Sequence, residues 1–430
     1  MSINLHICLL VNVLFISGNN AQTIGKPIEN QYIVLFKEAA VIPSIKYDKG
    51  DLPRISKEKN TQNVRNLVAS KINTLQQAVK LEKKFQLHVF SDAITGFSAI
   101  LTDLQVKSIK SNPDVAGVYQ DFTISLDPVK LETTSVIIKE GEQHVGCFIN
   151  TAGGYRDGSN KSNWIWIVDT GINISHPDLN VESNPAFAKS FINEETIEDL
   201  NGHGTHVAGI AAAKDNKIGM VGVSAGARVV PVKVLAQNGS GSWSSILAGL
   251  NHIARLSKPG DVVNLSLGTL TPSNCVEYHP AVRNAIQNLA AAGVWIIMAA
   301  GNNNLCNGAD LFFSACIDGN KIISVASVDC NLACSTYSNW GKSVDFAAVG
   351  THSYATHKDN KYATLSGTSM AAPVIAGIVH QLNNEPFRSA IPINCCNTFA
   401  PAPKLRMDIR LNQYQAQRKL ASLVPTGKAN

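Results

Sequence analysis

The stretch WIWIVDTG, Trp164 to Gly171, runs apolar without a break and then stops on an aspartate and a glycine. A half-buried strand alternates apolar and polar residues, whereas an unbroken apolar run of this length reads as a strand covered on both faces. Four further runs repeat the pattern: VVPVKVL (Val229–Leu235), DVVNLSLG (Asp261–Gly268), VWIIMAAGN (Val294–Asn302) and IISVASV (Ile322–Val328). Helix-like stretches separate several of them, most clearly SWSSILAGLNHIARLS (Ser242–Ser257) and PAVRNAIQNLAAAG (Pro280–Gly293). Strands alternating with helices predict an α/β unit, a mostly parallel sheet covered by helices on both faces. Such sheets deliver functional groups at the carboxyl ends of their strands, and Asp169 closes the first run.

Upstream the pattern differs. QYIVLFK (Gln31–Lys37) alternates as a strand, Thr61 to Lys84 has helical periodicity, and HVFSDAITGFSAILTD (His88–Asp103) reads as two strands around a Thr-Gly turn. A short helix, DLQVKSIKSN, and a last strand, VAGVYQDFTISL (Val115–Leu126), complete a small α+β unit. KLEKKF (Lys80–Phe85) reads as a solvated helix face. From Lys130 to about Ser162 nothing is strongly periodic, which predicts a linker.

With 430 residues, 45% hydrophobic and 16% charged, the chain has the balance of a soluble globular protein of more than one unit. Its net charge of +5 includes no concentrated basic stripe, so nucleic acid is not an expected partner. The apolar run Ile7–Ile16, ending in small and polar residues, reads as a secretory signal cut after Gly18 or Ala21. No later run is long enough for a transmembrane anchor, so a secreted or luminal protein is expected. Of nine cysteines Cys8 lies in the signal; the remaining eight favour disulfides, although their pairing is open. A zinc site at Cys330 and Cys334 lacks a second close Cys or His pair.

Four residues in this frame carry chemistry. Asp169 ends a strand; on its own it also fits a turn cap. His203 lies in NGHGTHVAGIAAA, framed by glycines at the start of a helix, with His206 about one turn on; the zinc motif would need His-Glu-x-x-His. Asn302 follows a strand and carries amide donors of the kind a developing oxyanion requires. Ser369 lies in LSGTSMAAPVIAG, small residues leading into an apolar helix.

The order Asp, His, Ser is the subtilisin one. The segments IVDTGI, NGHGTHVAG, AAGNNN and SGTSMAAP closely resemble the four signatures of subtilisin-like serine peptidases, nearest the proteinase K branch, over about Trp164 to Leu382. Residues Gln31 to Ser125 separately resemble the inhibitor I9-type pro-domain of these enzymes at YIVLFK, GFSAIL and VAGVYQD. The resemblance implies a subtilisin-like fold and a secreted serine endopeptidase made as a self-processing zymogen, acting on proteins and peptides and inhibited by its own pro-domain. It assigns Ser369 as nucleophile, His203 as general base, Asp169 as its orienting carboxylate and Asn302 to the oxyanion. Gly239, Ser240 and Gly241, with Ser266, Leu267 and Gly268, would hold substrate as an added strand. Ala299, Ala300 and Gly301 would line the pocket for the residue before the scissile bond, expected to admit a sizeable apolar or aromatic side chain. The implied boundaries are 1–21 signal, 30–125 pro-domain, 126–162 linker and processing region, 163–385 peptidase domain and 386–430 a C-terminal segment of unknown role.

Departures exist. Val374 stands where the family usually has histidine, Val349 where proline is usual, and FFSACI departs from a usual Pro-Ala pair. No cofactor is required, and structural calcium near Asp345 is left open. The stretch before the aspartate motif is poorly matched, so processing is bracketed only between Ser125 and Gly146. Among the Asn-x-Ser sequons, Asn160 and Asn173 are expected to be the usable ones. A catalytically silent scaffold with a retained pro-domain is the rival reading. An α/β-hydrolase esterase would need a Gly-x-Ser-x-Gly elbow and a histidine after the serine; only His380 follows.

Overall fold

The computed structural model describes residues 25–37, 57–126, 130–134, 141, 143–271, 275–382, 390–393, 395 and 402–405. The signal segment 1–21 and most of 386–430 lie outside them. The N-terminal unit contains β1 (Pro27–Phe36), α1 (Lys57–Ala78), β2 (Gln86–Phe90), β3 (Gly96–Ile100), α2 (Asp103–Lys110) and β4 (Val115–Ser125). Its strands pair antiparallel in the order β4-β1-β3-β2. The first helix stops at Ala78, earlier than its periodicity predicts: Lys80 takes φ +52 and Lys83–Phe85 form a 3₁₀ turn. Thr102 caps α2 by accepting from the Gln105 N–H while the Gln105 side chain accepts from the Thr102 N–H.

The expected linker has structure of its own. Residues Lys130–Thr134 (β5) pair antiparallel with a strand just before Ser369, and Cys147–Ala152 form α3, capped by Gly153 at φ +95. The larger unit then lays out β6 (Ile165–Asp169), α4 (His203–Ala212), β7 (Arg228–Lys233), β8 (Ser240–Ser242), α5 (Trp243–Leu256), β9 (Val262–Leu265), α6 (Pro280–Ala291), β10 (Trp295–Ala299), β11 (Phe312–Phe313), β12 (Ile322–Val328), β13 (Phe346–Val349), β14 (Ser353–His357), β15 (Lys361–Ser366) and α7 (Thr368–Leu382). Six strands run parallel in the order β7-β6-β9-β10-β12-β13, the spine of a ten-stranded sheet. Ala390–Ile393 and Ala402–Leu405 extend its edge beyond β13.

The unbroken apolar run of β6 is explained by its two faces. Ile165 and Ile167 pack with α4 and α7, through Val207, Ile210 and Ile375, whereas Trp166 and Val168 pack with α5 and α6, through Trp243, Leu247 and Val282. Side chains alternate across a strand, so a strand between two helical layers needs apolar residues at every position.

The two units share an apolar layer. Ile33, Leu35, Phe90 and Ile94 of the N-terminal unit join the same buried cluster as Trp243, Ile246 and Leu250 of α5. A polar clasp fixes the register: the Asn251 side-chain oxygen accepts from the backbone N–H groups of Ser91, Asp92 and Ala93 at 2.9, 2.7 and 3.1 Å. Asn288 donates to the Ala93 carbonyl at 2.8 Å. Disulfides join Cys147 to Cys330, Cys275 to Cys316 and Cys334 to Cys395, and Cys306 is also disulfide-bonded. They occupy Cys330 and Cys334, so the zinc alternative falls.

Candidate active site

Asp169 is fully buried at the end of β6. A carboxylate there must be hydrogen-bonded, and it accepts from the Thr170 N–H at 2.7 Å and from His203 Nδ1 at 2.8 and 2.9 Å to its two oxygens. His203 opens α4 behind Gly202, whose φ of +109 favours glycine. Gly204 lets the helix approach this closely, since a Cβ there would lie 2.2 Å from the Gly171 carbonyl oxygen and 3.1 Å from Asp169 Cβ.

Ser369 is the second residue of α7, buried, with its hydroxyl donating to the Ser266 carbonyl at 3.2 Å. The Ser266 hydroxyl donates back to the Ser369 carbonyl at 2.9 Å, which ties the end of β9 to the start of α7. Thr368 fixes Asn302 by donating to its side-chain oxygen through N–H (2.8 Å) and hydroxyl (2.9 Å). Both hydrogen bonds fall on the amide oxygen, so the NH₂ end carries the donors. Ala299, Ala300 and Gly301 continue β10, with the Gly301 N–H on the Thr368 hydroxyl at 3.1 Å. Asp169, Ser266 and Asn302 thus follow three neighbouring parallel strands at their carboxyl ends.

Gly239 to Gly241 form and precede β8, and this edge is occupied. Residues Thr123, Ile124 and Ser125 of β4 pair antiparallel with Ser242, Gly241 and Ser240, and the Leu126 N–H donates to the Gly239 carbonyl at 2.9 Å. At the start of β5, Lys130 pairs with Ser366, three residues before the nucleophile candidate.

Asp199 escaped the sequence reading. Buried to 1% exposure, it accepts five hydrogen bonds: from the Thr170 hydroxyl (2.8 Å), the N–H groups of Asn201 (3.0 Å) and Gly202 (2.8 Å), and the Thr205 N–H (2.8 Å) and hydroxyl (2.6 Å). The Thr170 hydroxyl accepts in turn from the Gly204 N–H, so one carboxylate locks the strand end bearing Asp169 to the helix start bearing His203. Lys233, fully buried and 3.0 Å from Glu195, donates to the Thr170 carbonyl from the other side. Asp199→Asn turns one acceptor oxygen into a donor facing donors; a loss of about 1–3 kcal/mol of stability is expected, readable as a lower urea midpoint at unchanged slope. The available signal was the aspartate four residues before His203 in DLNGH.

Other candidates fall away. His206 lies fully buried with Nε2 against the Ala363 carbonyl, and burial lowers its pKa to about 3, which makes it a structural group. His380 is held between the Ser224 hydroxyl and the Asn163 carbonyl, at the far end of α7 from Ser369. Asn173 is 5% exposed with its amide on Glu198 at 2.6 Å, so a glycan there conflicts with the fold; Asn160 is exposed. The Asp345 carboxylate accepts from the Ser324 N–H, and among the described residues no group of three or more His, Cys, Asp or Glu could hold a metal.

The model of the subtilase family, peptidase S8, matches residues 160–387, slightly more than half of the chain. The chain belongs to the subtilase family. The model of peptidase inhibitor I9 matches residues 31–127, so this subtilase is a serine protease with an inhibitor-type pro-domain ahead of it. Its fold is the subtilisin-like α/β one, with the parallel sheet between helical layers. Among its relatives, the thermostable alkaline protease of Halalkalibacterium halodurans is 32% identical over 68% of this subtilase and 73% of its own length. Cerevisin of Saccharomyces cerevisiae is 30% identical over 84% of this chain and 56% of its own length. Proteinase R of Parengyodontium album is 29% identical over 69% and 72%. A solved cold adapted subtilisin-like serine proteinase is similar at TM-score 0.48 and 26% identity, covering 59% of this chain and 91% of its own. Among the described residues, no helix of the subtilase is long and apolar enough to cross a membrane.

Proposed function

We propose that this subtilase is a secreted endopeptidase, made as a zymogen that cuts itself, working through Asp169, His203 and Ser369. The Ser369 oxygen attacks the peptide carbonyl while His203 Nε2 takes its proton. His203 then returns that proton to the departing amine as the C–N bond breaks, leaving an acyl-enzyme. Water, deprotonated by the same histidine, hydrolyses the ester. Asp169, holding Nδ1–H, fixes the tautomer and stabilises the imidazolium. The oxyanion is met by the Asn302 amide and the Ser369 N–H at the start of α7, where the helix dipole favours negative charge. Disulfides support an oxidising compartment, in keeping with the signal read at Met1–Ala21.

The observation that carries this reading is the pairing of β4 with β8. The pro-domain lies on Gly239–Gly241 as an added antiparallel strand, the mode in which a peptide substrate would be held. Leu126 ends this edge and Lys130 lies opposite Ser366, three residues before Ser369, so we assign the bond cut between them, at the N-terminal end of the range left by the sequence. Everything from Lys130 onward, including Cys147 bonded to Cys330, then stays with the enzyme.

The test is intact mass and N-terminal sequencing of the wild type beside Ser369→Ala. A wild type that begins between Asp127 and Lys130, with a mutant cut only at its signal, is the expected result. Retention of the pro-domain by both proteins would overturn self-processing and favour the silent scaffold.

A further inference from the structure

The pocket next to the nucleophile carries a feature that the sequence resemblance does not give. In β11 the two phenylalanines face opposite ways, as neighbours in a strand must. Phe313 turns into the core, edge-on to Trp243 at 4.9 Å and close to Tyr278. Phe312 turns away from that core yet is only 1% exposed.

Its burial comes from two segments: Ser266–Gly268, read as holding substrate as an added strand, and Ala299–Gly301, read as lining the pocket. A Cβ built on Gly268 would lie 2.1 Å from Phe312 Cε1 and 2.6 Å from Cζ. One built on Gly301 would lie 2.6 Å from Cδ2 and 2.8 Å from Cε2. Cε1 and Cδ2 are on opposite edges of one ring, so the ring bridges the gap between the two segments. The absence of a side chain at both glycines makes room for this ring.

The strand carrying Phe312 is held firmly. It pairs antiparallel with Thr269–Leu270, Leu270 opposite Phe312. The Ser314 hydroxyl donates to the Leu267 carbonyl at 3.1 Å, the Cys316 N–H donates to the Phe312 carbonyl at 3.0 Å, and Cys316 is bonded to Cys275. Moving the ring aside would mean repacking a buried aromatic against two backbones.

We propose that Phe312 is the floor of the pocket for the residue before the scissile bond, and that it restricts that residue to small side chains such as alanine and serine. This reverses the expectation of a pocket for large apolar or aromatic residues. It rests on reading Ser266–Gly268 as the substrate-holding edge and Ala299–Gly301 as the pocket lining of a working protease. A substrate ring would have to enter a slot in which one ring is already seated, and close-packed groups do not accommodate a second without displacement.

The test uses the full chain after self-processing and peptides identical except for Ala, Leu or Phe before the scissile bond. Active sites are counted by labelling Ser369 with an organophosphate. The wild type is expected to favour Ala over Phe by about tenfold or more in kcat/KM. Phe312→Ala is expected to reverse the ranking, and Phe312→Leu, which keeps an apolar side chain in the fold, to shift it the same way by less. A wild type that cuts the Phe peptide as well as the Ala peptide overturns the inference. So do variants that label normally yet keep the wild-type ranking; in both cases the protease reading stands. Failure of labelling and of hydrolysis for every peptide overturns the protease reading and this inference together.

Discussion

Asp169→Asn is expected to slow self-processing of the full chain by about ten-thousandfold while leaving the fold intact. Asparagine has nearly the shape of aspartate, and its oxygen can still accept from the Thr170 N–H, so the end of β6 keeps its geometry. What it loses is the second acceptor. The aspartate accepts from His203 Nδ1 with both oxygens, at 2.8 and 2.9 Å. An amide oriented on Thr170 presents NH₂ to that nitrogen, which favours the tautomer with its proton on Nε2. The base that should take the Ser369 proton then already holds one. Intramolecular processing is the suitable readout, because it is first-order, needs no activating protease and involves no substrate affinity. Gel or mass time courses beside the wild type measure the ratio, and near-ultraviolet circular dichroism checks packing. A slowing of less than tenfold with native packing would show that Asp169 does not orient the base.

How much of this could be read beforehand follows the range of each interaction. The apolar runs ending at Asp169, Leu265 and Ala299 are local patterns, and burial on both faces is written into them one residue at a time, so the parallel sheet was legible. The motif residues stand out for a related reason: they sit at strand ends and helix starts that small residues mark. Features defined by distant partners were not. Lys130–Thr134 is a strand only because Lys361–Ser366 pairs with it, and nothing in its periodicity says so. The sequon at Asn173 looks usable until Glu198 closes on its amide. Asp199 reads as loop polarity, and its role emerges only when donors from two elements converge on it. Phe312 lies in FFSACI, a segment that departs from the family's usual Pro-Ala pair, but its consequence depends on a strand that returns past two glycines more than thirty residues apart in sequence.

Acidification is expected to release the cleaved pro-domain. Between the two units lies a cavity of about 1140 Å³, with His88 of β2 on one side and Lys189, Phe191, His252 and Arg255 of the protease on the other. Phe191 packs edge-on against both His88 and His252, at 6.4 and 5.7 Å. Burial, then the charge of Lys189, lowers the His88 pKa from 6.5 to about 4; burial also lowers that of His252, with the nearby Asp92 carboxylate opposing. Asp92 is itself paired with Arg65 at 2.8 Å, and Lys84 adds a further positive charge to the lining beside Lys189 and Arg255. A histidine near 6.5 when solvated and near 4 when docked takes up a proton on release. Docking is therefore fully supported above 6.5 and weakens as pH falls from 6.5 towards 4, by up to roughly tenfold per pH unit through His88, with His252 shifted in the same direction. Asp121, buried where β4 meets the start of α5, works the other way. Burial raises its pKa, so it takes up a proton on docking and acid favours the complex through it. Through His88, release should thus grow as pH falls from 6.5 to 5, with Asp121 acting against it. The self-processed complex, prepared at pH 7.5 and shifted to pH 5.0, should show faster pro-domain loss by size exclusion and an earlier onset of peptide hydrolysis. His88→Phe keeps the ring contact with Phe191 but removes the titration, and should flatten this pH dependence. Asn251→Ala, which removes the clasp on residues 91–93, should speed release at both pH values without changing its slope. Equal release by the wild type at pH 7.5 and 5.0 would mean that the docked histidines do not govern the interface.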